Sequence, residues 1–487
     1  MATSSTSALT STGSISSAGL GSGLDVNSIV TQLMAVNNKP LTALQKTASS
    51  FNATLSEMSK LQSNFAAMRD KAQALNNVDL WRGTTASSSD GSAVSVSTGT
   101  SASVGSYAVN VSKLALAQTV TSNALADSTA TLGEGKLTIE LGSYGSGTPA
   151  ADFTTKAGSS AVSISIGAGE TSLASVRDKI NSASAGVVAS IVTDASGSRL
   201  SLRSSATGAE NAFRISASET ADDGNPTAGL SMLAYDATSA GDAMTRSTTA
   251  GDAQLTVNGI ALSSATNTLS NVVDGLTLTL NKVTAADVNV TVAADTASVK
   301  TAVSNFVTAF NALASFIHTE TGYNADSKTG GALQGDQATL ALQNQLRAVL
   351  NLPSSSSGSY STLSQIGITL KTDGTLDTNA TKLDSALANL PELKKLLSGD
   401  GASSATQGFA KRFQTLGDVA LGTNGTFESR KAGLQANLDR NSKQQDSLQV
   451  RLTATESRLR KQYQSLDTQM SSLNSLSTYM TQQLAKL

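Results

Sequence analysis

The feature that most constrains this chain lies at its C-terminus, where stepping by seven from Leu438 meets Gln445, Leu452, Leu459, Leu466, Leu473, Met480 and Leu487. Leu448, Tyr463, Met470, Leu476 and Leu484 fill flanking positions. A seven-residue repeat lays one apolar stripe along a helix, so this segment predicts a long helix whose heptad seam must be covered by other helices. Asn441, Thr455 and Gln462 interrupt the second row of the seam. A lone two-stranded coil closed on those positions would be weak, and a helix with several neighbours fits better.

The other end of the chain is built differently. Met1 to Gly23 is Ser, Thr, Gly and Ala with almost no apolar residues, too little to offset its ordering entropy, and it reads as disordered in isolation. Asp25 is placed to cap a helix in which Val26, Ile29, Val30, Leu33 and Met34 recur at threes and fours, with Pro40 marking its end or a kink. A longer amphipathic helix follows, carried by Leu41, Leu44, Phe51, Leu55, Met58, Leu61, Phe65, Met68 and Leu75.

After Trp81 the period switches to two, as in Tyr107, Val109 and Val111, which is the signature of strands. Further alternating runs fall at Leu137 to Leu141, Val162 to Ile166, Val187 to Val192, Leu200 to Leu202, Leu255 to Val257, Leu276 to Leu280 and Val288 to Val292. One helix interrupts them, with Thr171 as its expected cap and Leu173, Val176 and Ile180 on one face. The stretch Ala221 to Ala250 is rich in Asp, Gly, Thr and Ala and reads as loop. Helical periodicity returns at Val299 through Ile317, followed by expected helices at Leu333 to Leu350 and Asn379 to Leu397 and a turn at Asp373 and Gly374.

At 487 residues the chain exceeds what one core organises. The expected architecture is a multidomain α+β protein: a helical stalk formed by the N- and C-terminal segments, with a coiled coil at the C-terminus, and β-rich inserted domains. Its expected parts are a disordered segment and short leg helix (1–44), a stalk (45–85 with 296–436), a β domain (86–130 with 251–295), a nested α+β domain (131–250) and a C-terminal coiled-coil leg (437–487).

Composition removes several classes of function. With 34 Lys and Arg against 36 Asp and Glu there is no positive excess to neutralise phosphates, so nucleic acid is not an expected partner. Zero cysteines excludes disulfides, thiolate metal sites and cysteine nucleophiles, and a single histidine, His318, excludes a His-pair metal site. No run approaches the roughly 18 to 20 apolar residues that span a bilayer, and the N-terminus lacks the basic and apolar regions of a secretory signal.

The remaining candidates take structural readings. Gly19, Gly21 and Gly23 are close in density to a phosphate loop, but no strand precedes them, so they read as a hinge. His318 reads as a helix-end residue, Asp373, Gly374 and Asp377 as a turn without calcium-loop spacing, and Trp81 as packing. Arg451, Arg458, Arg460 and Lys461 around Glu456 read as a solvated, pair-forming face, with partner binding as the alternative. No catalytic, cofactor or metal residue is expected, and the chain is not expected to be an enzyme.

Four blocks of residues carry a resemblance. Gly19-Leu-Gly-Ser-Gly-Leu-Asp-Val-Asn-Ser-Ile-Val-Thr-Gln-Leu-Met34 followed by Lys39-Pro40-Leu41 resembles the start of bacterial flagellar filament-capping proteins, the hook-associated protein type 2 family. Gly105 to Gln118, Asp373 to Asp384, and Glu456 to Tyr463 with Tyr479 to Leu484 resemble further blocks of that family. Asn37-Asn38 stands where charged residues are expected. Leu173 to Ile180 with Val187 to Val192, Leu200 to Arg203 and Thr207 to Ala209 is similar to a module of flagellins and hook-associated proteins.

The resemblance implies a homo-oligomeric ring at the filament tip, with helical legs from both chain ends and a plate of β domains beneath which flagellin folds. It implies export by the flagellar type III pathway to an extracellular position, an export chaperone at the C-terminal helix, and contacts with flagellin and hook-filament junction proteins. The residues expected to carry assembly are Ile29, Leu33, Met34, Leu452, Leu459, Leu466, Leu473 and Met480. The alternatives are a surface adhesin binding mucin or glycans through exposed β domains, and a cell-wall hydrolase, for which the scattered carboxylates supply no evident pair.

Overall fold

The computed structural model describes residues 25–99, 102–240, 242–326 and 328–485; the segment expected to be disordered, Met1 to Gly23, and the seam position Leu487 lie outside them. Among the described residues the helices are α1 (Val26–Asn37), α2 (Lys39–Leu75), α3 (Val78–Arg82), α4 (Leu173–Ser182), α5 (Thr296–Thr321), α6 (Gln337–Asn351), α7 (Ala380–Leu387), α8 (Leu390–Ser398), α9 (Phe409–Leu421) and α10 (Thr426–Leu484). The class is the expected mixture of helix and sheet, with a long C-terminal helix and a β-rich insertion. Two compact units form: one from the chain up to Asn77 together with Thr296 onward, the other from Val78 to Asp295.

The helical unit is organised around α2. Its buried residues Met58, Leu61, Phe65, Met68, Ala72 and Leu75 recur at threes and fours and therefore share one face. Against the bundle core α5 contributes Val303, Phe306, Phe310, Leu313 and Ile317, and α9 contributes Phe409 and Phe413. The rings interlock at angles: Phe306 and Phe310 meet Phe413 at 5.1 and 5.8 Å, and Phe65 meets Phe427 at the root of α10 at 5.5 Å. Pro40 falls in the first turn of α2, where its missing N–H costs nothing, so the chain passes from α1 to α2 through Asn38.

Two expected helices are corrected by backbone chemistry. The run Asn379 to Leu397 is two helices, α7 and α8, because Asn389 is non-helical (φ −118°, ψ 62°) and Pro391 restarts the helix without an N–H. The run from Leu333 begins only at Gln337, because Asp336 caps it by accepting the Thr339 amide at 2.9 Å; Leu333 is buried in the preceding turn. His318 lies in the last turn of α5, which continues to Thr321, and its carbonyl accepts the Gly322 amide. Asp373 sits in the hairpin turn between strands Ile368–Leu370 and Leu376–Thr378, its carboxylate held below the usual range by the Thr375 hydroxyl and amide.

The β unit contains two apolar cores. The first lies between a five-stranded antiparallel sheet (Thr84–Ser88, Val288–Ala294, Gly105–Lys113, Ala253–Val257, Ile260–Ser264, in spatial order) and a three-stranded one (Thr268–Ser270, Leu276–Leu280, Val94–Thr98). Alternate residues Val109 and Val111, Leu278 and Leu280, and Val288 and Val290 fill it. The second gathers Leu137 and Ile139, Ile164 and Ile166, Leu200 and Leu202, and the α4 face Leu173, Val176 and Ile180. Ser172, one residue beyond the expected Thr171, caps α4.

The expected loop Ala221 to Ala250 belongs to this second core. Leu230, Met232, Leu233, Tyr235 and Met244 are buried in it, with a 3₁₀ turn at Leu230–Leu233 and a strand at Thr245–Thr248. These apolar residues show neither helical nor strand period, and Gly229 precedes them at a positive φ (59°) that glycine adopts without a steric cost. Trp81 is half-buried on α3.

Candidate assembly interface

Apart from the bundle core, α1, the start of α2 and the middle of α10 pack together into an arm. Asp25 begins it as expected, its carboxylate accepting the Ser28 amide at 2.9 Å. Val26, Val30 and Met34 recur at fours along α1 and are buried against Leu452, with Leu41, Leu448, Leu459 and Tyr463 packed around them. Two polar contacts fix the pairing: Asn441 donates to the Leu44 carbonyl at 3.1 Å, and Arg460 donates to the Asn27 side chain at 3.0 Å. As the α10 number rises by 19 its partner's falls by 17, so the helices run antiparallel.

Asn441, an interruption of the seam in the sequence, is 5% exposed and fully used: its amide N–H reaches Leu44 and its carbonyl accepts from Gln445 at 2.5 Å. A buried amide at a seam position is satisfied in one register only, which makes it a register pin. Nothing in the heptad count distinguishes this role from a mere defect. Arg460 is held by Glu456 at 2.8 Å one turn earlier, so part of the basic cluster does form the expected intrahelical pair.

The expected assembly residues divide along this arm. Ile29 is half-buried on α1 outside this cluster, whereas Met34 and Leu452 are buried in the contact between α1 and α10 and Leu459 is half-buried there. Met34, Leu452 and Leu459 hold the arm together and are not free to meet a partner while it is closed. Leu33 is 38% exposed on the outer side of α1.

Beyond Tyr463 the same seam emerges uncovered. Leu466, Leu473 and Met480 are 43%, 60% and 57% exposed, and Leu476, Tyr479 and Leu484 on the flanks are exposed as well. No described residue packs over them as α1 packs over Leu452. Full burial of a Leu or Met side chain contributes on the order of 2 kcal/mol, so covering five of them offsets an association cost of several kcal/mol. The geometry is that of a surface built to be covered.

The chain matches the family model for the flagellar hook-associated protein 2 C-terminus over residues 250–475 and that for the N-terminus over residues 22–118. It is 37% identical to the flagellar hook-associated protein 2 of Escherichia coli strain K12 over 486 residues, which covers 96% of this chain and 98% of that one. The chain belongs to the flagellar hook-associated protein 2 family. Within that family it is also 31% identical to the B-type flagellar hook-associated protein 2 of Pseudomonas aeruginosa PAO1, covering 95% of both chains.

Hook-associated protein 2 relatives also match in three dimensions. The crystal structure of the flagellar cap protein FliD D1-D2-D3 domains from Escherichia coli superposes with a TM-score of 0.57 at 34% identity, covering 78% of this chain and 99% of that one. The flagellin hook IN motif matches residues 150–206. This stretch contains the strand, helix, strand, strand succession from Val162 to Ser204.

Proposed function

We propose that this chain caps the tip of the growing bacterial flagellar filament as a structural assembly protein, retaining exported flagellin so that it folds and adds beneath the cap. The uncovered seam of α10 from Leu466 to Leu484 in a member of this family carries the reading. It is an apolar surface on a polar helix, with no chemistry attached, and it calls for assembly rather than catalysis.

The finer parts of the reading follow from the same surface. The cap is a ring of several copies. Its legs are residues 1–44 and 437–487, joined to a stalk of 45–85 with 296–436, and its plate is made of 86–130 with 251–295 and the nested 131–250. The legs meet flagellin and the hook-filament junction through Ile29, Leu33, Leu466, Leu473 and Met480, while Met34, Leu452 and Leu459 brace them from inside. The coiled coil closes around the tip of α10 on assembly, and an export chaperone shields that tip before release through the flagellar type III pathway to the extracellular end of the filament. Coupled ordering and assembly of this kind supplies stability only where partners are present.

The adhesin alternative finds no support among the described residues of the β unit. Phe213 and Tyr235 are buried, Tyr144 packs edge-on to Phe153 at 4.8 Å, and Arg214 covers the Phe153 ring at 4.7 Å. These aromatic faces are thus engaged within the unit and not open for a glycan to stack on.

The test is a bacterium lacking the chain. It is expected to be non-motile and to release flagellin monomers into the medium, with both defects reversed by the full chain and not by one truncated before Leu466. Motile cells with normal filaments in its absence would overturn the proposal.

A further inference from the structure

The arm has a second unoccupied face. A groove of about 700 Å³ runs between the start of α2 and α10, lined by Pro40, Leu44 and Thr47 on one side and Lys443, Leu448 and Arg451 on the other. Leu44 and Leu448 are half-buried and form its apolar floor, whereas Lys443 and Arg451 are exposed at its wall. Neither cation is ion-paired with a described carboxylate, although Lys431 and Arg460 on the same helix are. The arm segments 25–48 and 437–463 hold eight basic against four acidic residues, in a chain whose totals are 34 and 36.

Resting on the reading of the arm as a docking leg, we infer that this groove receives an amphipathic helix with an acidic face from a protein other than this chain. The charge decides the sign of the occupant, because a helix bearing carboxylates relieves the surplus at Lys443 and Arg451. The spacing decides its pattern. Lys443 and Arg451 lie eight residues apart, about 12 Å along the axis, so the occupant carries carboxylates seven or eight residues apart with an apolar residue midway, set on Leu44 and Leu448. The charge argues against a second copy as the source: no described α-helix of this chain has more acidic than basic residues.

The probe is an 18-residue fluorescent helical peptide with two Glu eight apart and Leu midway on one face. Its controls are a scrambled peptide of the same composition and a version with Lys in place of Glu. The full chain is expected to bind the faced peptide at least tenfold more tightly than either control, with affinity falling as salt screens the pair. The exposed double substitution K443E/R451E, checked for unchanged helicity, is expected to reverse the preference toward the Lys peptide. Equal binding of faced and scrambled peptides, no binding, or an unchanged preference in the variant would overturn the inference. So would loss of self-association in the variant, which would make the groove a contact between copies. None of these results touches the filament-growth test, so the two readings fail separately.

Discussion

Asn441 on the long C-terminal helix donates its side-chain amide to the backbone carbonyl of Leu44 on α2 at 3.1 Å, across 397 residues of chain. That bond ties the two ends of the polypeptide in one register and decides which seam residues are covered and which emerge.

Replacing Asn441 with Leu removes a buried amide from an apolar seam, and the arm is expected to gain about 1 kcal/mol while losing its register pin. The chain has no cysteine, so N27C/R460C gives a clean report. A short bismaleimide is expected to cross-link that pair efficiently in the parent and poorly in the N441L background.

Asp336 is nearly buried and performs two tasks, capping α6 through the Thr339 amide and accepting Arg430 of α10 at 2.7 Å. D336A loses both and is expected to cost about 3 kcal/mol in urea unfolding, whereas D336N keeps the cap and costs about 1 kcal/mol. Equal losses would show that the cap contributes nothing, and an unchanged D336N that the ion pair contributes nothing.

At the crossing of α2 and α9, a Cβ on Gly417 would lie 2.3 Å from Arg69 Cγ and 2.6 Å from its Cβ. These are not the movable end of the side chain. G417A is expected to force the helices apart and to destabilise by about 2 kcal/mol, and G417V by more. Thermal unfolding measures both.

Glu392 is held well below the ordinary carboxylate range, to about 2, by Lys395, the Ser357 hydroxyl and the amides of Gly358 and Ser359. Its folded value is depressed, so its contribution is present above the unfolded value and is lost as pH falls from about 4 toward 2. Proteolysis within Ser354 to Ser361 is expected to accelerate over that window in the parent, and to be fast at all pH values in E392Q.

Where side-chain period and burial coincide, the fold was legible in the residues. The strands Val162–Ile166 and Leu276–Leu280 alternate cleanly because one face is core, and α10 declares itself from Leu438 onward through its heptad spacing, although the helix itself begins at Thr426. The inward-turning segment around Leu230 was not legible, since its burial is imposed by neighbouring sheets. The break at Asn389 was written in Pro391 but masked by leucines on either side.

The candidate site was half legible. The heptad count named Leu452 and Leu466 as equivalents, and among the described residues α1 covers the first and not the second. Asn441 looked like a flaw because a sequence shows an amide's position and not its acceptor.

The most direct test of the central claim is L466S/L473S/M480S in cells lacking the parent chain. These side chains are already exposed, so the purified variant is expected to keep its helicity and to change in unfolding free energy by no more than about 1 kcal/mol. Such cells are expected to release flagellin monomers and to grow no filaments. Filaments of normal length from a folded variant would contradict that claim.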